Sequence, residues 1–323
     1  RMACDEKRGQ AIRDGIQRTG KDLRVTFNYR YGPCATKVAE TLRTGILGEF
    51  KCIHFEWLLN LRHGADYFRR WHRDKRNSGG LMVHKATHHF DLINWWIESL
   101  PETVFGLGDL KFYGRANAEE RGVTNFYNRG TGDEAAKGDP FALDLSGQPH
   151  LKGLYLDAEH EDGYLRDLNV FGDGISIEDT MNVLVRYRNG CQMSYTLSAF
   201  NPWEGYNVSI LGTKGRIEVS EAHASYINAG GDISDEGKNT YSHIRVHPMR
   251  EPPYDVEVPE AEGGHGGADP VMFNDIFGNP EPDPLNRAAS HIDGAYSILT
   301  GIAANRSFTT GRPVEIASLV RFD

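Results

Sequence analysis

Cysteine is scarce in this chain, and its placement has no pattern. Cys4, Cys34, Cys52 and Cys191 form no C-x-x-C pair and no metal-ligand spacing. That speaks against a zinc module or a disulfide framework and fits a reduced, cytoplasmic compartment. Basic charge is also short: 36 Lys and Arg face 45 Asp and Glu, a net charge of −9. A nucleic-acid surface needs clustered Lys and Arg against phosphates, so this balance argues against one. No apolar run approaches the roughly 20 residues of a membrane span, which argues against a membrane partner. Nor does any strand lead into G-x-G-x-x-G, the turn that cradles a dinucleotide pyrophosphate; "GLGDLK" at 106–111 fails the pattern. What remains is a globular chain of 323 residues, long enough for a sizeable core.

Asp5 and Gly20 bracket a helix over 5–19 as N-cap and stop. "LRVTFNY" (23–29) alternates and reads as a strand. A helix over 35–46 and a strand over 50–59 follow. Residues 63–80, "HGADYFRRWHRDKRNSGG", read as a loop with a local excess of positive charge. Then come a helix over 81–98 and a strand over 102–113. Residues 114–176 are rich in Gly, Asp and Asn, lack periodicity, and read as a long insertion or lid. Strands at 181–188, 191–199, 206–212 and 215–220 are joined through Asn189-Gly190 and Lys214-Gly215, which suits antiparallel hairpins. Segments 224–241 and 250–267 read as loops. Helices over 268–277 and 286–304 and a strand over 313–319 close the chain. This order predicts an α+β fold with a mostly antiparallel sheet.

The 81–98 segment carries the chemistry. Val83, Ala86, Phe90, Ile93 and Ile97 recur at helical spacing and form a buried stripe. His84, His88, Asp91 and Trp95 form a second stripe about a hundred degrees away. Three readings fit the second stripe. It could be a satisfied polar edge. It could hold metal, since H-x-x-x-H is a zinc spacing, but Lys85 stands where a hydrolytic site needs Glu and no third ligand is visible. Or it serves acid–base catalysis, with His88 oriented by Asp91 or by a partner elsewhere.

Several stretches, taken in order, resemble the glucose–fructose oxidoreductase, inositol dehydrogenase and rhizopine-catabolism (Gfo/Idh/MocA) family. They are "VTFNYRYGP" (25–33), "LRTGILGEF" (42–50), "WHRDKRNSGGLMVHKATHHFD" (71–91), "ILGTKGRIEV" (210–219) and "AANRSFTTGRPVEI" (303–316). The resemblance implies a large open sheet with flanking helices at 33–323, interrupted by the 114–176 insertion. Residues 1–32 would be the C-terminal remnant of a Rossmann domain, with about a hundred residues of that domain lacking and poor NAD(P) binding as the result. The family's histidine falls on His88, and its aspartate one turn earlier falls on His84, a departure. Trp71, Arg73 and Arg30 would lie on the cofactor side. Lys85, Tyr67, His72 and Trp203 would contact substrate.

The activity so implied is hydride transfer between NAD or NADP and a secondary alcohol of a sugar, polyol or glycoside. His88 would take the hydroxyl proton, with no metal and with homo-oligomer formation through the sheet. Two alternatives are NAD-dependent glycoside cleavage through transient oxidation and elimination, and a non-catalytic sugar-binding remnant.

Overall fold

Strict alternation of buried and open positions runs through "FKCIHFEWLLN", and this segment is the spine of the molecule. The computed structural model describes residues 5–223 and 239–320. Cys4 and most of the expected 224–241 loop lie outside the described residues. The strands, in chain order, are β1 (Arg24–Val25), β2 (Phe50–Asn60), β3 (Pro101–Asp109), β4 (Thr180–Tyr187), β5 (Gln192–Asn201), β6 (Gly205–Gly212), β7 (Gly215–His223), β8 (Asn239–Pro248), β9 (Tyr254–Val256), β10 (Ala289–Ser290) and β11 (Val314–Glu315). The helices are α1 (Glu6–Thr19), α2 (Pro33–Arg43), α3 (Leu61–Arg69), α4 (Lys75–Ser78), α5 (Leu81–His84), α6 (Ala86–Trp96), α7 (Arg115–Glu120), α8 (Pro149–Leu151), α9 (Glu159–Asp162), α10 (Ala268–Phe277) and α11 (His291–Thr310).

Nine strands form one open sheet in the order β11-β3-β4-β5-β2-β6-β7-β8-β9. Every pairing is antiparallel except β2 with β5. Ile53, Phe55, Trp57 and Leu59 of β2 are buried on one face, beneath the helices. His54 and Glu56 point to the other face, which is polar and open. The fold expectation therefore holds: a large, mostly antiparallel open sheet with flanking helices.

Close approaches fix the helical layer. A methyl group on Gly64 would sit 1.7 Å from the Ala199 carbonyl oxygen, so α3 lies directly on β5. A methyl group on Gly301 would meet the Met82 carbonyl oxygen at 2.2 Å, so α11 touches the backbone of α5. α11 begins at a capping box, Ser290 with Asp293, and ends at Gly311 in the left-handed region. It thus starts five residues later than the expected helix at 286.

Other boundaries moved for physical reasons. Only Arg24 and Val25 of the expected 23–29 strand pair, with Ser290 and Ala289. The remainder turns into a 3₁₀ segment, Asn28–Tyr31. Residues 63–80 are not a loop: Asn60 caps α3 by accepting from the Arg62 and His63 amides. The 81–98 helix breaks at Lys85. The Thr87 hydroxyl donates to the Val83 carbonyl, a side-chain bond that competes with the backbone ladder. The apolar stripe survives the break, with Val83, Ala86, Phe90, Ile93 and Ile97 all buried.

The basic segment binds the insertion. Three guanidinium groups, Arg69, Arg70 and Arg166, converge on the buried Asp66 at 3.1, 2.9 and 2.8 Å. Arg69 also donates to the Phe141 carbonyl, and Arg73 to those of Asn169 and Asp173. Lys75 pairs with Glu178, and Arg76 with Asp74. Long flexible cations in a loop would have been free for a phosphate. Here helix formation and the insertion supply each with a local partner.

One buried knot ties the first segment to the helices. Arg30 is 2% exposed. Its Nε donates to Asp91 Oδ2 at 2.7 Å, and its Nη2 to Asp91 Oδ1 at 2.6 Å and to Asp293 Oδ1 at 3.0 Å. Burial pulls the guanidinium down, but the two carboxylates outweigh it and hold Arg30 above its ordinary value. Burial pushes the Asp91 carboxyl up to about 6 against the pull of Arg30.

Arg30→Met strands a buried carboxylate and should cost about 3–5 kcal/mol. The double variant Arg30→Met/Asp91→Leu should recover most of that loss, measured as urea midpoints; equal losses in both would refute the assignment.

Asp66 makes a second prediction. Burial alone would raise its carboxyl, but Arg166, Arg70 and Arg69 lower it from 3.8 to about 2. The folded state therefore binds fewer protons than the unfolded state across that window. The stabilisation, about 2 kcal/mol, is complete above pH 4 and disappears as pH falls toward 2. The stability gap between the parent and Asp66→Asn should close over the same range. A gap that is unchanged at pH 2 counts against the carboxylate's role.

Candidate functional site

Aromatic residues build the floor. Trp57 of β2 is sandwiched between His89, with ring centres 3.8 Å apart, and Tyr206, at 5.0 Å. His89 is fully buried, and its Nδ1 pairs with the Tyr195 hydroxyl at 2.6 Å. Of the three histidines in the helical run, this one is structural. Tyr29 packs against Trp57 at 5.4 Å. Lys85 sits at the helix break with its ammonium 5.1 Å above the Trp57 ring and 5.7 Å from Tyr29, whose hydroxyl it reaches at 3.3 Å.

His88 stands beside this cation. Its ring meets Phe27 and Tyr29 edge-on at 5.4 and 5.2 Å. Its Nδ1 is buried with no hydrogen-bond partner among the described residues. Burial, with Lys85 adding to it, lowers the imidazole from 6.5 to about 3, so the ring is neutral at physiological pH. The residue keeps an accessible edge, and with His84, Thr87 and Val25–Phe27 it lines a concavity of about 260 Å³. Asp91 does not orient it. Arg30 occupies both oxygens of that carboxylate, because a buried guanidinium with full charge competes better than a neutral imidazole.

His84 shares the concavity but belongs to a different network. Its Nε2 lies 2.7 Å from His72 Nε2, so one of the two nitrogens donates to the other. The Tyr67 ring meets both imidazoles edge-on, at 5.4 and 5.6 Å. The Tyr67 hydroxyl is 3.2 Å from His63 Nε2, and His63 Nδ1 is 2.6 Å from Glu204 Oε1. Burial would raise the Glu204 carboxyl, but His63 and Lys85 outweigh it and hold it low. Burial pushes the Tyr67 phenol up to about 12. His223, 2.7 Å from Glu221, closes the far side against Trp57 and Tyr29.

The structure thus brings together His88, His84, Lys85, Tyr67 and His72. Trp203 stands 36% exposed at the β5–β6 turn, outside these contacts; its neighbour Glu204 turns inward instead. Arg30 is held in the buried knot and Arg73 on backbone carbonyls, where burial lowers its guanidinium to about 10. Trp71 stacks on His72 at 3.9 Å and faces the insertion. His63, Glu204, Trp57, Tyr29 and His223 were not read as site residues. The signal for Glu204 was present in "NPWEGY", which lies at a strand end and mixes aromatic with acidic residues. Among the described residues no group of three or more His, Cys, Asp or Glu could hold a metal. Nor does a described Gly-rich turn offer amides to a pyrophosphate. Among the described residues the site presents aromatic and imidazole rings around one ammonium.

A model of the oxidoreductase family's C-terminal α/β domain (Gfo/Idh/MocA) matches residues 39–316. YteT of Bacillus subtilis (strain 168), an oxidoreductase by name, is 35% identical over 310 residues, 91% of this chain and 69% of its own length. Among solved structures, an aldose–aldose oxidoreductase from Caulobacter crescentus in complex with glycerol aligns with a TM-score of 0.57 at 14% identity. That alignment covers 97% of this chain and 70% of the other. An oxidoreductase from Agrobacterium radiobacter in complex with NAD+, L-tartaric acid and magnesium gives 0.58 at 13% identity, covering 98% and 71%. The family model spans most of the chain and the close relative nearly all of it, so the protein belongs to the Gfo/Idh/MocA oxidoreductases.

Proposed function

We propose that this protein oxidises or reduces a secondary alcohol carbon of a sugar, polyol or glycoside, with NAD or NADP as hydride partner. The observation that carries this is His88: a neutral imidazole with a buried, unpartnered Nδ1, near the Lys85 ammonium, with its accessible edge lining a concavity of about 260 Å³. The nicotinamide supplies the hydride acceptor. The chain's own residues handle the proton and the charge. His88 takes the hydroxyl proton during oxidation and returns it during reduction. Lys85, held over Trp57, stabilises the oxygen as negative charge develops on it. The neutral imidazole has a lone pair with which to accept that proton. His84 lines the same concavity with His72 behind it, and the Tyr67 hydroxyl is backed by His63 and Glu204.

Glycerol in one related structure, and L-tartaric acid beside NAD+ and magnesium in the other, both carry more than one hydroxyl group. That supports a substrate rich in hydroxyl groups. A second reading, glycoside cleavage by transient oxidation and elimination, is favoured by the ordered insertion beside Trp71. We further propose a cytoplasmic enzyme that assembles through the open polar face of the sheet. Stoichiometric NAD(P)H on adding sugar supports the dehydrogenase; glycoside cleavage without net NAD(P)H supports the second reading.

His88→Gln should lower turnover by about two to four orders of magnitude, the usual worth of a general base. Folding should survive, because the apolar stripe is separate. His84→Asp should be milder than His84→Ala, since a carboxylate can still pair with His72. Because His88 stays neutral well below its ordinary 6.5, the pH–rate profile should show no acid limb from this residue near neutrality. Near-native turnover in His88→Gln, with an unchanged melting temperature, would remove His88 from the mechanism.

A further inference from the structure

The insertion does more than cover the sheet. Its packing against the 70–77 segment leaves two adjoining concavities, of about 760 and 530 Å³. Both are lined by Trp71, Asn77 and Tyr164, so they form one groove with two aromatic rings at its middle. Phe126 and Asn128 continue the wall at one end.

The groove's charge narrows what it can hold. Three cations line the larger concavity, Arg70, Arg73 and Arg115, and three carboxylates oppose them, Asp74, Asp133 and Asp173. Arg70 is paired with Asp66 and Arg115 with Asp173, while Arg73 is held by two carbonyls. Arg8, Arg76 and Asp162 line the smaller concavity, where Arg8 pairs with Asp5 and Arg76 with Asp74. A pyrophosphate needs cations not already held by carboxylates, and of these five arginines only Arg73 fits that description. Compensated charges, open amides and half-buried aromatic faces suit a neutral ligand with apolar ring faces and many hydroxyls, which is a carbohydrate.

The groove also adjoins the reacting pocket. Trp71 lies on His72 at 3.9 Å, and His72 reaches His84 at 2.7 Å, so one residue layer separates the two sites. We infer that the groove beneath the insertion is a saccharide subsite. It holds sugar units of an oligosaccharide beside the His88 pocket. Trp71 and Tyr164 are the stacking platforms, and Asn77 contacts hydroxyls between them. This rests on the carbohydrate reading above and extends it from one sugar to a chain.

The test is calorimetric binding of neutral cello-, xylo- and galacto-oligosaccharides of one to four units. It is repeated on Tyr164→Ala/Asn77→Ala, a variant that leaves the His88 pocket intact. In at least one series, affinity should rise at least tenfold from the monosaccharide to the tetrasaccharide. The double variant should lose that gain and keep its monosaccharide affinity and melting temperature. Length-independent binding overturns the subsite, as does a gain that survives the double variant. NAD(P)-linked turnover of a monosaccharide with no chain-length effect sinks the groove alone. Absence of both saccharide binding and turnover sinks the carbohydrate reading with it.

Discussion

The bidentate contact between Arg30 and Asp91 sets the geometry on which the site depends. Three consecutive residues of the 3₁₀ segment point three ways. Tyr29 meets His88 and Lys85, Arg30 grips α6 and α11, and Tyr31 donates its hydroxyl to Asp275 of α10 at 2.6 Å. Pinning the middle residue fixes the outer two. Asp91 lies one turn beyond His88 on the same helix, so the knot also fixes the height of the imidazole against Phe27 and Tyr29. The carboxylate is therefore a structural partner for the helix that carries His88.

The helix break at Lys85 is the second determinant. In an uninterrupted helix His84 and His88 would stack one above the other, and a cation between them would splay to the side. The Thr87–Val83 side-chain bond interrupts the ladder, and Lys85 swings over Trp57. The two imidazoles then serve different networks: His84 joins His72 and Tyr67, while His88 faces the ammonium. A single short stretch thus supplies a neutral imidazole and an ammonium without pairing them to each other.

Much of this was legible in the sequence where the signal is local. The apolar stripe of the 81–98 segment, the Asp5 and Gly20 caps, and the paired strands after residue 180 follow from periodicity and turn chemistry. The gathering of His88, His84, Lys85 and Tyr67 was also within reach. What escaped depends on partners far along the chain. Asp66 meets Arg166, and Arg73 meets Asp173, each about a hundred residues away, so the 63–80 segment looked like a charged loop. Gly64 lies in that segment, and it marks where α3 touches β5. Glu204 and His63 find each other across 141 positions, and no spacing rule reaches that far.

The parallel pairing of β2 with β5 carries a consequence for how the chain assembles. β2 occupies the middle of the sheet, yet its neighbours on both sides, β5 and β6, begin after residue 190. During synthesis the strand must therefore wait, with both backbone edges unpaired, until the whole insertion and two further strands have emerged. At about 5–20 residues per second this interval lasts on the order of ten seconds. Non-local pairings of this kind fold slowly and leave an apolar edge open meanwhile. His54 and Glu56 alternate with the apolar positions of that waiting strand, and their polarity restrains it from pairing with another copy of itself.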